Sequence, residues 1–265
     1  MRILYIGDVM GEAGISTIEK LLAEIVSAHN VDLVIAQAEN VSEGKGLSVE
    51  DYQRLQSAGI QVFTGGNWTM HLDETHTMLN DESAAVTRPA NYPEGTVGKK
   101  YKIIQTAHGK VLVVSLLGSI VGKDADKPVD NPLVVIDEIL NELREEVFES
   151  IVVNFHGDFS SEKVVIGHYL DGRVTAVIGD HWHVPTADAR ILPGGTAHIS
   201  DVGMVGSLNS SLGVKFESVI PRWRDGIQTR NVLENEGALQ FNAVLIETDH
   251  LTKRAHAIQQ IRKIL

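Results

Sequence analysis

Two histidines, His181 and His183, are separated by one residue and follow a short apolar run that ends in Gly179. The run, residues 176–178, predicts a buried strand, and the glycine frees the backbone to turn where the strand stops. Because alternate residues of an extended segment point to the same side, we expect the two imidazoles to converge. Histidine is the commonest metal-binding side chain, so the pair predicts half of a metal site. The alternative is two unrelated surface histidines, since H-x-H alone is a weak motif.

Further ligand-type side chains follow other predicted strands, each where the strand ends. They are Asp8, Glu39, Asn40, Asn67 and His156. Any one of them alone is more commonly a turn former, a helix cap or a structural histidine. Together with the histidine pair, however, these residues follow five different strands, and five such coincidences are hard to explain in that way. Mixed carboxylate, amide and imidazole ligands predict two borderline divalent ions such as Mn, Fe or Zn, with Glu39 as the bridging carboxylate.

Such a pair of ions predicts phosphoryl chemistry. Two metals about 4 Å apart form a clamp for in-line displacement at phosphorus. A hydroxide held between them attacks, and the ions neutralise the charge that builds on the non-bridging oxygens. The metals lower the pKa of the water, so no separate protein base is required. A protonated side chain beside the leaving oxygen, usually a histidine, helps the bond to break.

Strands and helices alternate in the first third of the chain, and this alternation must position the ligands. Strands are predicted at 2–6, 32–38 and 60–64, with helices at about 15–28, from 49 after a Ser48 cap, and at about 72–79. Successive βα units predict a parallel sheet whose carboxyl ends share one edge. Asp8, Glu39, Asn40 and Asn67 are therefore expected at that edge, where open α/β folds bind ligands. The glycine-spaced turn before the first helix (Gly7, Gly11, Gly14) lacks the lysine and Ser/Thr of a phosphate loop, which excludes a nucleotide-triphosphate site.

The rest of the chain continues the α/β pattern without an internal repeat or a linker. The predicted elements are a hairpin at 99–106 and 110–116, helices at 132–147 and 161–169, and strands at 151–155, 174–178 and 191–201. Residues 205–232 show no clear periodicity and are expected to wrap the surface or border the site. Residues 238–247 and 254–264 predict a terminal hairpin, although the second segment could equally be a short helix. We expect one domain, 1–265.

Composition excludes several classes of function. The chain has 265 residues, of which 43% are hydrophobic and 22% charged, as is ordinary for a soluble globular protein. The net charge of -12 argues against binding long nucleic acid, but not against a small anionic substrate at a metal site. There is no cysteine, and no apolar stretch approaches the roughly 20 residues of a membrane span. We expect a cytoplasmic protein without a membrane partner.

The segments that carry these residues also match a known family. They are 6–11 (IGDVMG), 38–40 (AEN), 44–47 (GKGL), 66–67 (GN), 88–95 (RPANYPEG), 155–157 (FHG), 181–183 (HWH), 186–188 (TAD) and 201–204 (DVGM). On these segments the chain resembles the calcineurin-like metallophosphoesterases, and specifically their YmdB-like branch, over essentially its whole length. The Glu39-Asn40 pair and the 88–95 stretch distinguish this branch from the wider superfamily.

The resemblance implies an α/β four-layer metallophosphoesterase sandwich, in which two mixed β-sheets are flanked by helices. It implies two divalent or mixed-valence metal ions, iron or manganese first, with zinc as the alternative. Asp8, Glu39, Asn40 and His183 would surround one ion, and Glu39, Asn67, His156 and His181 the other. Members of the branch are described as 2′,3′-cyclic nucleotide 2′-phosphodiesterases with broader activity towards cyclic nucleotides. The implied partners are thus a small phosphodiester or cyclic nucleotide substrate and further copies of the chain in a homo-oligomer.

One position departs from the family pattern. The family has G-N-H after the third strand, with the histidine as general acid or transition-state contact, whereas this chain has Gly66-Asn67-Trp68. Tryptophan cannot release a proton at neutral pH, although its indole N–H can donate a hydrogen bond. Loss of general acid catalysis costs about 10² to 10⁴ in rate. His71 is the candidate substitute, and Trp68 could instead pack against its loop or stack on a base.

Two functions follow from this departure. The first is a dinuclear metallophosphodiesterase, slower or altered in substrate choice. The second is a metal- and nucleotide-binding regulatory protein that has lost turnover. A purely structural protein would leave the ligand set unexplained.

Overall fold

A computed structural model describes residues 1–122 and 126–265, and this part of the chain forms two β-sheets and six α-helices. The strands are β1 Arg2–Ile6, β2 Asp8–Val9, β3 Leu33–Gln37, β4 Val62–Thr64, β5 Tyr101–Thr106, β6 Gly109–Leu117, β7 Ser150–His156, β8 Ala176–Asp180, β9 Arg190–Ile191, β10 Ala197–Ile199, β11 Met204–Ser207, β12 Leu239–Thr248 and β13 Ala255–Ile264. The helices are α1 Gly11–His29, α2 Val49–Ala58, α3 Asp73–Asn80, α4 Pro132–Glu142, α5 Ser160–Tyr169 and α6 Phe216–Asp225.

The first sheet has the strand order β2-β11-β12-β1-β3-β4, with β13 paired to β12. Strands β1, β3 and β4 are parallel, and β12 is antiparallel to β1. The predicted parallel arrangement of the first three long strands is confirmed. Their carboxyl ends lie at one edge, as the positions of the polar residues require.

The second sheet has the order β5-β6-β7-β8-β10-β9. Strands β6, β7, β8 and β10 are parallel, and the two outer strands, β5 and β9, are antiparallel to their neighbours. Residue His156, at the end of β7, is opposite Asp180, at the end of β8. The second sheet therefore also presents polar side chains at the ends of parallel strands.

Side-chain alternation along the strands builds the layers. In β1, Leu4 and Ile6 pack against the helices on one face, whereas Ile3 and Tyr5 enter the layer between the two sheets. That middle layer also contains Val113, Val152, Ile178 and Ile199 from the second sheet. A third apolar cluster packs the outer face of the second sheet against α4 and α5. The order helices–sheet–sheet–helices confirms the predicted four-layer sandwich of two mixed sheets.

Several boundaries agree with local sequence signals. The Ser48 hydroxyl accepts a 3.1 Å hydrogen bond from the amide of Asp51 and caps α2 as predicted. Pro132 lies in the first turn of α4, which ends at Glu142 and is shorter than predicted. The terminal hairpin is confirmed, because β12 and β13 pair antiparallel, with Gln240 facing Ile264 at one end of the pairing.

One prediction was wrong and another was incomplete. Helix α1 begins at Gly11, so Gly14 belongs to the helix and not to a turn before it. A Cβ at Gly14 would lie 2.7 Å from the carbonyl oxygen of Val205, so glycine lets α1 pack closely on β11. The segment 205–232, in which no element was predicted, contains most of β11 and all of α6, and part of it lines a groove beside the site. Its elements are short, which is why no periodicity was visible.

In the part of the chain that the structure describes, no helix has the length and apolar character needed to cross a membrane.

Candidate metal site

All seven predicted ligand residues lie around one edge where the two sheets meet. Asp8 belongs to β2, Glu39 and Asn40 follow β3, Asn67 follows β4, His156 ends β7, and His181 and His183 follow β8. The side chains of Asp8, Glu39 and His156 are almost completely buried, at 0%, 2% and 0% exposure. The edge predicted for the first sheet thus continues onto the second.

The His156 imidazole occupies the centre of the cluster. Its Nε2 atom lies 2.9 Å from Oε1 of Glu39 and 3.0 Å from Oδ1 of Asn67. The rings of His156 and His181 are 4.4 Å apart between centroids. Ligand atoms of Glu39, His156 and His181 all lie within 4.8 Å of one another, a spacing that can hold a metal ion. These three residues, with Asn67, form the set predicted for one metal.

Unsatisfied oxygens mark the other predicted set. Oδ1 of Asp8 and Oδ1 of Asn40 are buried, and neither has a hydrogen-bond partner within residues 1–122 and 126–265. Nε2 of His183 lies 3.7 Å from the same Asp8 oxygen. A buried polar atom without a partner costs free energy. A cation bound by Asp8, Asn40 and His183 would supply the missing partner, so the residues present fit a metal ion.

Gly66 allows the chain to approach the cluster. A Cβ at this position would lie 2.4 Å from Oε2 of Glu39 and 2.5 Å from Cδ2 of His156, closer than atoms can pack. The glycine therefore lets the loop after β4 run directly over the cluster. The amide of Trp68 then donates a 2.8 Å hydrogen bond to Oε2 of Glu39.

The His181–His183 segment differs from its prediction. Strand β8 ends at Asp180, and His181 and His183 adopt positive φ angles of 104° and 61°. The segment is a left-handed turn and not an extended strand, so the predicted reason for convergence was wrong. The two imidazoles still reach the cluster: Nε2 of His183 faces Asp8, and Nε2 of His181 lies 3.2 Å from Oδ1 of Asp158.

A buried ion pair holds this turn. Nζ of Lys163, whose side chain is fully buried, donates to Oδ2 of Asp201 at 2.9 Å and to the carbonyl oxygen of Asp180. Oδ2 of Asp201 also accepts a 2.8 Å hydrogen bond from the amide of Trp182. The Lys163 ammonium lies 4.3 Å from the centre of the Trp182 ring, a cation–π contact. Left-handed residues other than glycine cost about 1 to 3 kcal/mol each, and these contacts offset that cost.

Asp180 is a site residue that the sequence analysis missed. Its Oδ1 lies 2.7 Å from Nδ1 of His156, and its Oδ2 accepts hydrogen bonds from Tyr5 and Asn154. A carboxylate on Nδ1 turns Nε2 of the imidazole towards the cluster, which is the usual support for a metal-binding histidine. The only signal in the sequence was an acidic residue at the end of β8.

Electrostatics also favour a bound cation. Burial, followed by the charge of Asp180, raises the pKa of Asp8 well above its usual value. Burial, followed by the nearby His181, lowers the pKa of His183 to about 4, so this imidazole is neutral at pH 7 and able to bind metal. Burial opposes a charge on His156, but Glu39 and Asp180 outweigh it and raise the pKa of that imidazole.

The two catalytic candidates lie beside the cluster. The Trp68 indole is half-buried on the wall of an adjoining groove, and the exposed His71 ring packs edge-on against it with centroids 5.4 Å apart. Nζ of Lys45 lies 4.3 Å from the centre of the Trp68 ring. The structure thus brings the seven predicted ligands together and puts Trp68 and His71 next to them on the groove side.

Two mixed sheets between helical layers, with a buried cluster of carboxylate, amide and imidazole groups at their common edge, define a metallophosphoesterase-like protein. A sequence model of the family described as YmdB-like protein matches residues 4–261. The chain belongs to the YmdB-like family.

Individual relatives agree with this assignment. The 2′,3′-cyclic-nucleotide 2′-phosphodiesterase of Bacillus subtilis (strain 168) is 38% identical over 261 residues, which cover 98% of this chain and 96% of that protein. The crystal structure of a novel phosphatase from Mycoplasma pneumoniae superposes with a TM-score of 0.92 at 31% identity, covering 100% of this chain and 93% of that one. A hypothetical protein from Thermus thermophilus gives a TM-score of 0.90 at 36% identity, covering 100% and 99% of the two chains.

Proposed function

We propose that this protein is a metal-dependent phosphodiesterase that hydrolyses small phosphodiesters, 2′,3′-cyclic nucleotides among them. Membership of the YmdB-like family and the name of the Bacillus subtilis relative support this class of hydrolase. The observation that carries the proposal is the buried ligand cluster with two unsatisfied oxygens, on Asp8 and Asn40. The same family resemblance supports a homo-oligomer, and light scattering of the purified protein tests the assembly. A cytoplasmic location stays a prediction from the sequence.

Two borderline divalent ions fit the donor set, and the family resemblance favours iron or manganese over zinc. Asp8, Glu39, Asn40 and His183 would hold one, and Glu39, Asn67, His156 and His181 the other, with Glu39 shared. When bound, such ions lower the pKa of a water ligand and neutralise charge on the phosphate oxygens. Asp180 keeps Nε2 of His156 facing the cluster, and the Trp68 amide fixes one oxygen of Glu39.

The reaction adds water across one phosphodiester bond. For a 2′,3′-cyclic nucleotide, a new P–O bond forms, the P–O2′ bond breaks, and a proton passes to O2′, which leaves a nucleoside 3′-phosphate. A sugar oxygen is a poor leaving group, so this step gains from a protonated side chain. Trp68 cannot provide that proton, although its indole N–H can donate a hydrogen bond. His71, edge-on to Trp68, is the nearest predicted substitute.

The second candidate function is metal and nucleotide binding without turnover, in a regulatory protein. The observation that favours it is Trp68 at the position of the family's catalytic histidine. The two functions share the metal cluster and differ in whether bond cleavage needs the missing acid.

Hydrolysis of two substrates separates them. Purified protein of known metal content is assayed with 2′,3′-cyclic AMP and with bis(p-nitrophenyl) phosphate, whose leaving group needs no acid. We expect the wild type to cleave both, Asp8→Ala to cleave neither, and Trp68→His to accelerate only the cyclic nucleotide, by up to about 10² to 10⁴. Trp68→Phe is the matched control and should give no acceleration. Metal binding without cleavage of either ester, even by Trp68→His, would establish the binding function instead.

A further inference from the structure

A large groove adjoins the metal cluster and has no assigned role. Its volume is about 1040 Å³, at the upper end of the range for small-molecule sites. Its walls come from the segment after β3, the loop after β4, and α6 with the residues that follow it. It meets the cluster directly at two hydrogen bonds. The backbone amide of Trp68 donates to Glu39, and the side-chain Nδ2 of Asn40 donates to the carbonyl oxygen of Gly44 at 3.0 Å.

Cations line this groove. Lys45 is held over the Trp68 ring at 4.3 Å, and Nζ of Lys127 lies 5.8 Å from the same ring centre. Arg222 and Arg230 also line the groove. Nη2 of Arg222 is oriented by hydrogen bonds to Thr229 and Asn231, which are neutral groups. Within the described residues, neither Lys45 nor Arg230 forms an ion pair.

Two carboxylates, Asp51 and Glu43, also line the groove, against the three cations Lys45, Arg222 and Arg230. Asp51 accepts a hydrogen bond from Ser42 and lies 3.8 Å from Arg54, which is outside the lining and is itself paired with Glu12 and Glu19. Glu43 is exposed to solvent, as is Arg230, so both of these charges are screened. Lys45, Arg222 and Arg230 therefore form a local positive surface on a chain of net charge -12, and that surface leads into the metal cluster.

Apolar side chains share the groove with its polar ones. They are Met10, Leu72, Val214 and Leu233, and the aromatic ring of Trp68 lies in the same lining. An aromatic ring beside cations, as Trp68 is beside Lys45, is the arrangement that binds short single-stranded nucleic acid, because a base stacks on the ring and phosphates contact the cations. A free mononucleotide at the metal cluster would use few of these groups.

We infer that the groove binds a nucleotide joined to the reacting one, so that the preferred substrate is a short oligonucleotide ending in a 2′,3′-cyclic phosphate. This inference rests on the proposed phosphodiesterase function and specifies its substrate class. Lys45 contacts the first linking phosphate, the one next to the reacting nucleotide, and Arg230 contacts the second linking phosphate of a trinucleotide. The acidic remainder of the surface keeps long nucleic acid away.

The test compares a dinucleotide with a mononucleotide. For the metal-loaded protein, kcat/KM is measured for ApA with a 2′,3′-cyclic phosphate end and for 2′,3′-cyclic AMP. We expect the dinucleotide to be favoured at least about tenfold, the effect of one additional charged hydrogen bond. Equal values for two well-hydrolysed substrates would overturn the inference and leave the proposed function intact. Failure to hydrolyse even bis(p-nitrophenyl) phosphate would instead count against the proposed function.

A binding measurement keeps the two outcomes separate. Calorimetry compares ApA with a linear 3′-phosphate end against 3′-AMP, and we expect about tenfold tighter binding of the dinucleotide whether or not turnover occurs. If the two bind equally, the groove does not hold a second nucleotide.

Charge variants identify the phosphate contacts. Lys45→Gln should remove most of the roughly tenfold preference for the dinucleotide, whereas Arg230→Gln should reduce by about tenfold the further preference for the trinucleotide ApApA with the same cyclic end. Each variant should lower the slope of log affinity of the trinucleotide against log salt by about 0.7. Arg224→Gln is the control, since Arg224 is near Arg230 in the chain, in α6, but pairs with Asp225 and does not line the groove. If Arg224→Gln has the same effect as Arg230→Gln, the contribution is general electrostatics and the assigned contacts are refuted.

Discussion

The ends of β7 and β8 are adjacent in the second sheet, and both deliver histidines to the cluster, but they do so by different physical means. His156 is the last residue of a regular strand, with a ring that is fully buried and bonded at both nitrogens. His181 and His183 lie beyond the end of β8, in a left-handed turn that is partly exposed. One histidine is fixed by the sheet, and the other two are fixed by contacts of their loop.

The contacts behind each end differ accordingly. Behind His156, a hydrogen-bond network joins Asp180 to Tyr5 on β1 and Asn154 on β7, and Asn154 continues it to Ser115 on β6. Behind the turn there is one buried ion pair, Lys163–Asp201. The comparison teaches that neutral groups on three strands share the support of His156, whereas the contacts that support the turn centre on one buried pair of charges. Loss of one group should therefore affect the turn more severely.

The largest effect is expected from Lys163→Ala. The substitution leaves the Asp201 carboxylate buried without its partner, which costs about 3 to 5 kcal/mol of unfolding free energy. Urea unfolding of the metal-free protein measures it. In the double variant Lys163→Met with Asp201→Asn neither charge is left unpaired, so most of the loss should be recovered. Equal destabilisation in the single and double variants would show that the ion pair does not hold the turn.

The second prediction concerns pH, because the two ends titrate in opposite directions. The pKa of His183 is about 4 in the folded protein, below its value of about 6.5 in an unfolded chain. Between these values the unfolded chain binds a proton that the folded protein does not, so stability falls as the pH drops through this window. The pKa of His156 is raised, so its contribution is complete below about pH 6.5 and is lost as the pH rises through its folded value.

Chelator-treated protein should accordingly lose up to about 3 kcal/mol from His183 between pH 6.5 and 4. His183→Gln should abolish this part of the slope, whereas His156→Gln should only reduce it, because the charge of His156 is a minor cause of the lowered pKa of His183. Urea midpoints at several pH values give the slopes. If both glutamine variants change the acid-side slope equally, the difference between the two ends is not electrostatic.

Much of the fold and of the ligand set could be predicted from sequence because the signals are local. Apolar runs predicted β1, β3 and β4, and the Ser48 cap predicted the start of α2. Parallel pairing then follows from chain order, and it places the polar residues at strand ends together. Asp8, Glu39, Asn67 and His156 were found because each comes at or immediately beyond such an end.

What could not be predicted depends on residues distant in sequence. The role of Asp180 arises from its register opposite His156 on a neighbouring strand, 24 residues away. The left-handed turn at His181 is stabilised by Lys163 and Asp201, neither of which has a local signal. Gly14 was read as a turn residue because its close contact with Val205 on β11 is visible only in three dimensions.

The smallest expected effect comes from Asp180→Asn, on the side of the comparison where the support is distributed. Asparagine keeps the size of the side chain and can still accept a hydrogen bond from His156, so the fold should be retained. It removes the charge that holds the Nδ1 proton, and loss of such a partner weakens metal binding by about 10- to 100-fold. Competition with a fluorescent chelator measures this affinity in the purified protein.

Asp158→Asn is the control at the other end, because Asp158 contacts the partly exposed His181 at 3.2 Å and its loss should have a smaller effect. If Asp158→Asn weakens metal binding more than Asp180→Asn does, support of His156 by its buried network is not what determines the affinity of the cluster.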